Sequence, residues 1–177
     1  MKSLALAASL ALAATVMPAH AAPATTHHAG HCDAAPYHQL DFWLGDWDTF
    51  EAGGSNAGES EARNHVTSIL GGCVVRERYA GSNGLTGESF SIYDAARGVW
   101  HQTWVTNRGR LLMLEGRMQN GRMVLEGNGR DAHGKSIRVR VAWWPVKGGV
   151  REKSVASHDG GRTWATQFDI VFRPHRP

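Results

Sequence analysis

Leu40-Asp41-Phe42-Trp43-Leu44-Gly45-Asp46-Trp47-Asp48-Thr49-Phe50 is the stretch around which the chain is organised. It holds four aromatics and two leucines in eleven residues, with a Gly-x-Trp core at Gly45-Asp46-Trp47. Everything after it reads as short strands able to pair with it and with each other. Ten candidate strands run over 41–50, 62–70, 73–80, 87–94, 98–106, 110–116, 121–127, 136–144, 149–157 and 163–173. Each carries aromatic or β-branched residues and is bounded by turn residues. The breakers include Gly71-Gly72, Asn83-Gly84, Gly109, Gly134, Gly148-Gly149 and Gly160-Gly161. Asn120-Gly121 is the strongest single hairpin signal, because both central residues of its tight turn need positive φ.

Alternation separates strand from helix along this region. Trp100, Gln102, Trp104 and Thr106 fall on one face, and Val99, His101, Thr103 and Val105 on the other. Ile137, Val139, Val141 and Trp143 oppose Arg138 and Arg140, and Trp164, Thr166, Phe168, Ile170 and Phe172 form the longest stripe. No stretch after residue 40 shows a 3.6-residue period. The expected fold is therefore all-β: an antiparallel up-and-down β-barrel of about ten strands. Closure is favoured because consecutive hairpins pair neighbour to neighbour and a barrel leaves no exposed edge.

Upstream of residue 40 the chain reads differently. Lys2, the apolar run Leu4–Val16 and the Ala-x-Ala at Ala19-His20-Ala21 are read as a secretory signal peptide over 1–21. The run is too short and alanine-rich for a good membrane span. Residues 22–39, rich in Ala, Pro, Thr and His, are expected to be a flexible, disordered leader, and 40–177 a single β-barrel domain. His27, His28, His31, Cys32 and His38 invite a metal reading, but their spacing matches no standard zinc pattern, so no metal site is assigned. The expected compartment is periplasmic or secreted. There the two cysteines, Cys32 and Cys73, favour a disulfide over two separate thiols. A loop of about 40 residues closed this way contributes on the order of 4 kcal/mol in the chain-entropy picture.

Charge excludes one class of partner. Without the signal peptide the balance is 18 basic against 16 acidic side chains, spread singly along strands. So small an excess, on basic residues scattered along the chain, does not argue for binding a phosphate backbone, and nucleic acid is not an expected partner.

Gly45-Asp46-Trp47 at the start of a strand meander resembles the signature of the lipocalins and calycins. The resemblance implies that Trp47 closes one end of the barrel and that Arg173, from the last strand, stacks on it as a cation over an indole. A closer resemblance covers most of residues 40–173. It is carried by Asp41–Trp47, Gly72-Cys73, Tyr93-Asp94, Gly98–Val105, Met123-Val124-Leu125 and Ser157–Trp164. It is to a family of exported bacterial proteins of this size with no assigned function, for which a calycin-like barrel is expected. That family offers no catalytic residues to carry over. Haem-binding calycins of the nitrobindin type continue their first-strand motif with Gly-x-Gly. Here the chain runs Trp47-Asp48-Thr49-Phe50, so haem is disfavoured and no cofactor is expected. Ser157-His158-Asp159-Gly160-Gly161-Arg162-Thr163-Trp164 also resembles the Asp-box of sialidase propellers. A single copy reads as a structural turn, with Asp159 accepting backbone N–H bonds and Trp164 packing beneath.

No nucleophile elbow, zinc-protease helix, phosphate loop or dinucleotide motif occurs, so no catalytic residue is assigned and the reading leans away from an enzyme. Trp43, Trp100, His101, Trp104, Trp143 and Trp144 are the candidates for lining a cavity that takes a small apolar or amphipathic molecule. Two alternatives remain open: an enzyme acting at the barrel mouth, which needs titratable groups converging inside, and a structural or interaction protein with a filled core. The oligomeric state is not legible.

Overall fold

Ten strands form where the alternation places them: β1 (Gly45–Glu51), β2 (Ala62–Ile69), β3 (Val74–Gly81), β4 (Thr86–Asp94), β5 (Val99–Thr106), β6 (Leu111–Gln119), β7 (Arg122–Arg130), β8 (Ser136–Val146), β9 (Gly149–Ser157) and β10 (Ala165–Pro174). The computed structural model describes residues 32–53 and 60–176. The signal-peptide reading over 1–21, and residues 22–31 of the leader with His27, His28 and His31, lie outside them. Every strand pairs antiparallel with its sequence neighbour, and β1 also pairs with β10, which closes the barrel. Closure leaves no strand with a free row of N–H and C=O groups. Asn120 (φ 48°) and Gly121 (φ 76°) both take the left-handed conformation their hairpin requires.

Because side chains alternate, each strand sends one set inward. Trp100, Gln102 and Trp104 point in from β5, and Ile137, Val139, Val141 and Trp143 from β8, as expected. The β10 stripe is interrupted. A bulge between Thr166 and Phe168 inserts Gln167, so Phe168, Ile170 and Phe172 face inward while Thr166 pairs with Val155 on the outer face. Arg140, also on the outer face, lies 4.2 Å from the ring centroid of Trp164.

The expected first strand, 41–50, begins later than its aromatic content implies. Asp41–Trp43 is a 3-10 turn, and the strand starts at Gly45. The turn crosses the end of the barrel and drops Trp43 into the core, 1% exposed, against Trp143 (5.7 Å between ring centroids) and Phe172 (6.0 Å). The indole of Trp47 donates to the Trp43 carbonyl at 2.9 Å and packs edge-on to Phe172. Gly45 has no alternative: a Cβ there would lie 2.7 Å from the Trp47 ring. The Gly-x-Trp spacing is thus a packing requirement, in which the indole folds back over a residue that must lack a side chain.

Residues 32–39 are docked on this end rather than free. The disulfide Cys32–Cys73 ties them to the turn before β3, 41 residues away in sequence. Tyr37 packs edge-on to Tyr93 at 5.4 Å, and Gln39 accepts a hydrogen bond from the Trp100 indole at 3.0 Å. The leader's last residues therefore complete the seal, which sequence composition alone does not reveal.

Candidate functional site

The sealed end and the open end of the barrel differ in what fills them. At the base, Trp43, Trp47, Trp100 and Phe172 close the interior. Toward the other end a cavity of about 440 Å³ opens between the walls. Trp104 and Trp143 line it, together with Leu112, Leu114, Val139, Val141 and Ile170. Tyr79 stands edge-on to Trp104 at 5.9 Å near the mouth. Gly87 makes room there, since a Cβ would sit 2.5 Å from the Trp104 ring. The bulge in β10 brings Gln167 to the rim, where it accepts a hydrogen bond from the Ser154 hydroxyl at 3.2 Å.

The cavity is not lined by apolar groups alone. Glu77 reaches in from β3 and Glu152 from β9. Asn64 Nδ2 donates to Glu77 Oε1 at 2.9 Å, and the Ser89 hydroxyl donates to Glu77 Oε2 at 2.9 Å. Gln102 Nε2 in turn donates to the hydroxyls of Ser91 (3.2 Å) and Ser89 (3.5 Å). A chain of oriented dipoles therefore runs along the inner faces of β2 to β5 and ends on one carboxyl. Burial pushes the Glu77 carboxyl up to about 7, against the opposing effect of the Ser89 and Asn64 hydrogen bonds. Burial also raises Glu152 well above the ordinary carboxyl range, and the charge of Glu77 raises it further. The Trp143 indole, directly opposite Glu152 in the β8–β9 ladder, opposes that rise, although its N–H makes no hydrogen bond within normal geometry. Tyr79 is raised by burial first, then by Glu61, Glu77 and Glu152.

The sequence candidates divide between the two ends and the two faces. Trp104 and Trp143 line the cavity. Trp43 and Trp100 are buried in the seal below it. His101 does not face the interior. It lies on the outer wall with Nδ1 3.1 Å from Glu115 and Nε2 2.9 Å from the Thr103 hydroxyl, because the strand alternation that turns Trp100 and Gln102 in turns it out. Trp144 is outside as well, with Arg122 and Arg151 stacked over its ring at 4.3 and 5.5 Å. Arg173 does not cover Trp47. It pairs across the ladder with Asp48, one residue out of phase with the inward Phe172, and donates to the Lys147 carbonyl at 2.7 Å. The Asp-box turn is closed by Asp159, which accepts from the N–H groups of Arg162 and Thr163 at 3.0 and 2.9 Å, while the Trp164 indole donates to Gly161. Those bonds hold the Asp159 carboxyl well below the usual range.

Among the described residues, no group of three or more His, Cys, Asp or Glu is arranged to hold a metal ion. No helix among them is long and apolar enough to cross a membrane. The fold and site together define a closed ten-stranded antiparallel barrel with one sealed end and a half-polar internal cavity. Comparison with protein-family models and with curated proteins gives no match.

Proposed function

We propose that this chain is an exported binding protein of the calycin-like type that holds one small amphipathic molecule inside its barrel. The observation that carries the reading is the cavity of about 440 Å³ with an aromatic and aliphatic wall and a few convergent polar groups. That volume and that mixture are what small-molecule sites use: apolar area for affinity and fixed polar groups for orientation. The Cys32–Cys73 bond supports an oxidising compartment, and with the signal-like segment 1–21 it supports export. The test is native mass spectrometry of the full chain with medium-chain alcohols, amines and carboxylates, alongside quenching of tryptophan fluorescence. One-to-one binding that Ser154→Phe removes, in a variant that still melts cooperatively, is the expected result. Failure of all three classes to bind overturns the reading.

A second reading has one observation in its favour. A carboxyl held at about 7 inside a cavity is poised to exchange protons near neutral pH, which is what a general acid or base requires. Under this reading a bound ligand is chemically altered on incubation and Glu77→Gln stops the change without preventing binding. A ligand recovered with an unchanged NMR spectrum counts against it.

A further inference from the structure

Resting on the cavity reading above, we infer that the ligand is an organic cation: a protonated amine on an apolar body, with its ammonium held by Glu77, Glu152 and the Asn64 carbonyl. Three carboxyls line the cavity, Glu77 and Glu152 within it and Glu61 at the rim, and among the described residues lining it the sole cation is Arg110, also at the exposed rim. Buried carboxyls are ordinarily paired with a cation of the same protein. The outer wall of this barrel shows the habit: Arg76 lies on Glu88, Arg140 on Glu126 and Arg151 on Asp169. The inner pair has no such partner.

A second observation is independent of the acids. Asn64 is 1% exposed and lines the cavity. Its Nδ2 is committed to Glu77, and its Oδ1 has no hydrogen-bond partner. A buried acceptor left unmade costs about 1–3 kcal/mol unless something supplies a donor. The free group on Asn64 is an acceptor, so its missing partner is a donor, which an anionic ligand does not provide; the other unpaired atom at the cavity, the Trp143 indole N–H, is a donor that stands opposite Glu152 in the β8–β9 ladder. An ammonium has three N–H donors and no acceptor, which matches two carboxylates and one amide oxygen. The remaining wall suits the rest of such a molecule. Leu112, Leu114, Val139 and Val141 cover an aliphatic body, and the faces of Trp104 and Trp143 attract a cation.

The same geometry makes binding pH-dependent. The titratable groups facing the pair are Tyr79, beyond Glu77 on the same strand, and Glu61 at the rim, with Arg110 as the charged group opposite. The inward faces of β2, β4, β8 and β10, which flank β3 and β9, carry no titratable side chain within the cavity lining. Glu77 and Glu152 therefore govern the response, and protonating them removes the charge that holds the ligand.

The experiment compares three probes of one chain length, n-octylamine, 1-octanol and octanoate, titrated calorimetrically into the full chain near pH 8. Octylamine is expected to bind about tenfold or more tightly than octanol, a difference of about 1.4 kcal/mol, and octanoate more weakly than either. The amine's advantage should disappear near pH 5 and in Glu77→Gln or Glu152→Gln, whose folding is checked by thermal melting. A pH series on the unaltered protein gives the same answer should either variant fail to fold. Equal binding of amine and alcohol overturns the cation assignment and leaves the cavity reading standing. Preference for octanoate also overturns it. No binding by any probe removes both.

Discussion

The two walls of the barrel interior are built from opposite materials. From β2 to β5 the inward residues include Asn64, Glu77, Ser89, Ser91 and Gln102, all 7% exposed or less. From β6 to β8 they include Leu112, Leu114, Met123, Leu125, Ile137, Val139, Val141 and Trp143. The apolar wall could seal against any greasy surface, and its stability follows from the area removed from water. The polar wall is stable only because its groups are bonded to one another, and that chain ends at the cavity, on the Glu77 carboxyl and the unpaired Asn64 Oδ1. A barrel built for stability alone would use the apolar wall all the way round. The contrast therefore puts the cavity's acids and amide on β2, β3 and β9, and its apolar lining mainly on β6 and β8.

The largest effect expected from the contrast is on the apolar side. Leu125 on β7 is 0% exposed, and Leu125→Ala should cost about 2–5 kcal/mol through lost transfer energy and the cavity left behind. Ser91→Ala, at an equally buried site on the polar wall, should cost about 1 kcal/mol, since it removes one hydroxyl bonded to Gln102. Urea denaturation measures both. Similar losses at the two positions would erase the distinction between the walls.

Next in size is the response of the polar wall to pH. The folded-state pKa of Glu77 stands at about 7 against an ordinary value of 4.5, so the folded protein holds that proton more tightly than the unfolded chain. Its contribution is therefore full below about pH 4.5 and is lost as pH rises through about 7, a loss on the order of 3 kcal/mol. Glu152, raised for the same reason, slopes the same way. Glu77→Gln should flatten this part of the ligand-free stability curve and leave the variant more stable than the parent near pH 8. Parallel curves for the two proteins would show that the carboxyl is solvated in the folded state.

How far the sequence could anticipate these walls depends on the range of the forces involved. Strand positions and hairpins were legible because alternation and turn chemistry are local: Asn120-Gly121 must turn, and Val139 must oppose Arg140. The Cys32–Cys73 bond, and with it the pinning of the tail to the barrel wall, was legible from the cysteine pair; the seating of Tyr37 and Gln39 was not, because it depends on contacts with Tyr93 and Trp100, far away in the chain. The bulge at Gln167 was not, because Ala165-Thr166-Gln167 has no Gly or Pro to mark it. Glu77 carries a local signal of its place in the interior. In Val75-Arg76-Glu77-Arg78-Tyr79 the acid is in phase with Val75 and Tyr79 and out of phase with both arginines. Val150-Arg151-Glu152-Lys153-Ser154 repeats the pattern on β9. An acid that shares the apolar phase of a strand is the readable mark of an interior carboxyl.

The smallest effect sharpens the comparison by leaving the interior altogether. His101 sits between Trp100 and Gln102, both inward, and its ring is satisfied on the outer wall by Glu115 and Thr103. His101→Ala should change stability within about 0.5 kcal/mol, as exposed-face substitutions do, and should leave octylamine binding unchanged in calorimetry. A period of two allows no compromise here. For the imidazole to touch a ligand, β5 would have to shift by one residue against β4 and β6, which would expel Trp100, Gln102 and Trp104 together. Lost binding in this variant, with stability intact, would therefore place the site on the outer wall and overturn the assignment of function to the barrel interior.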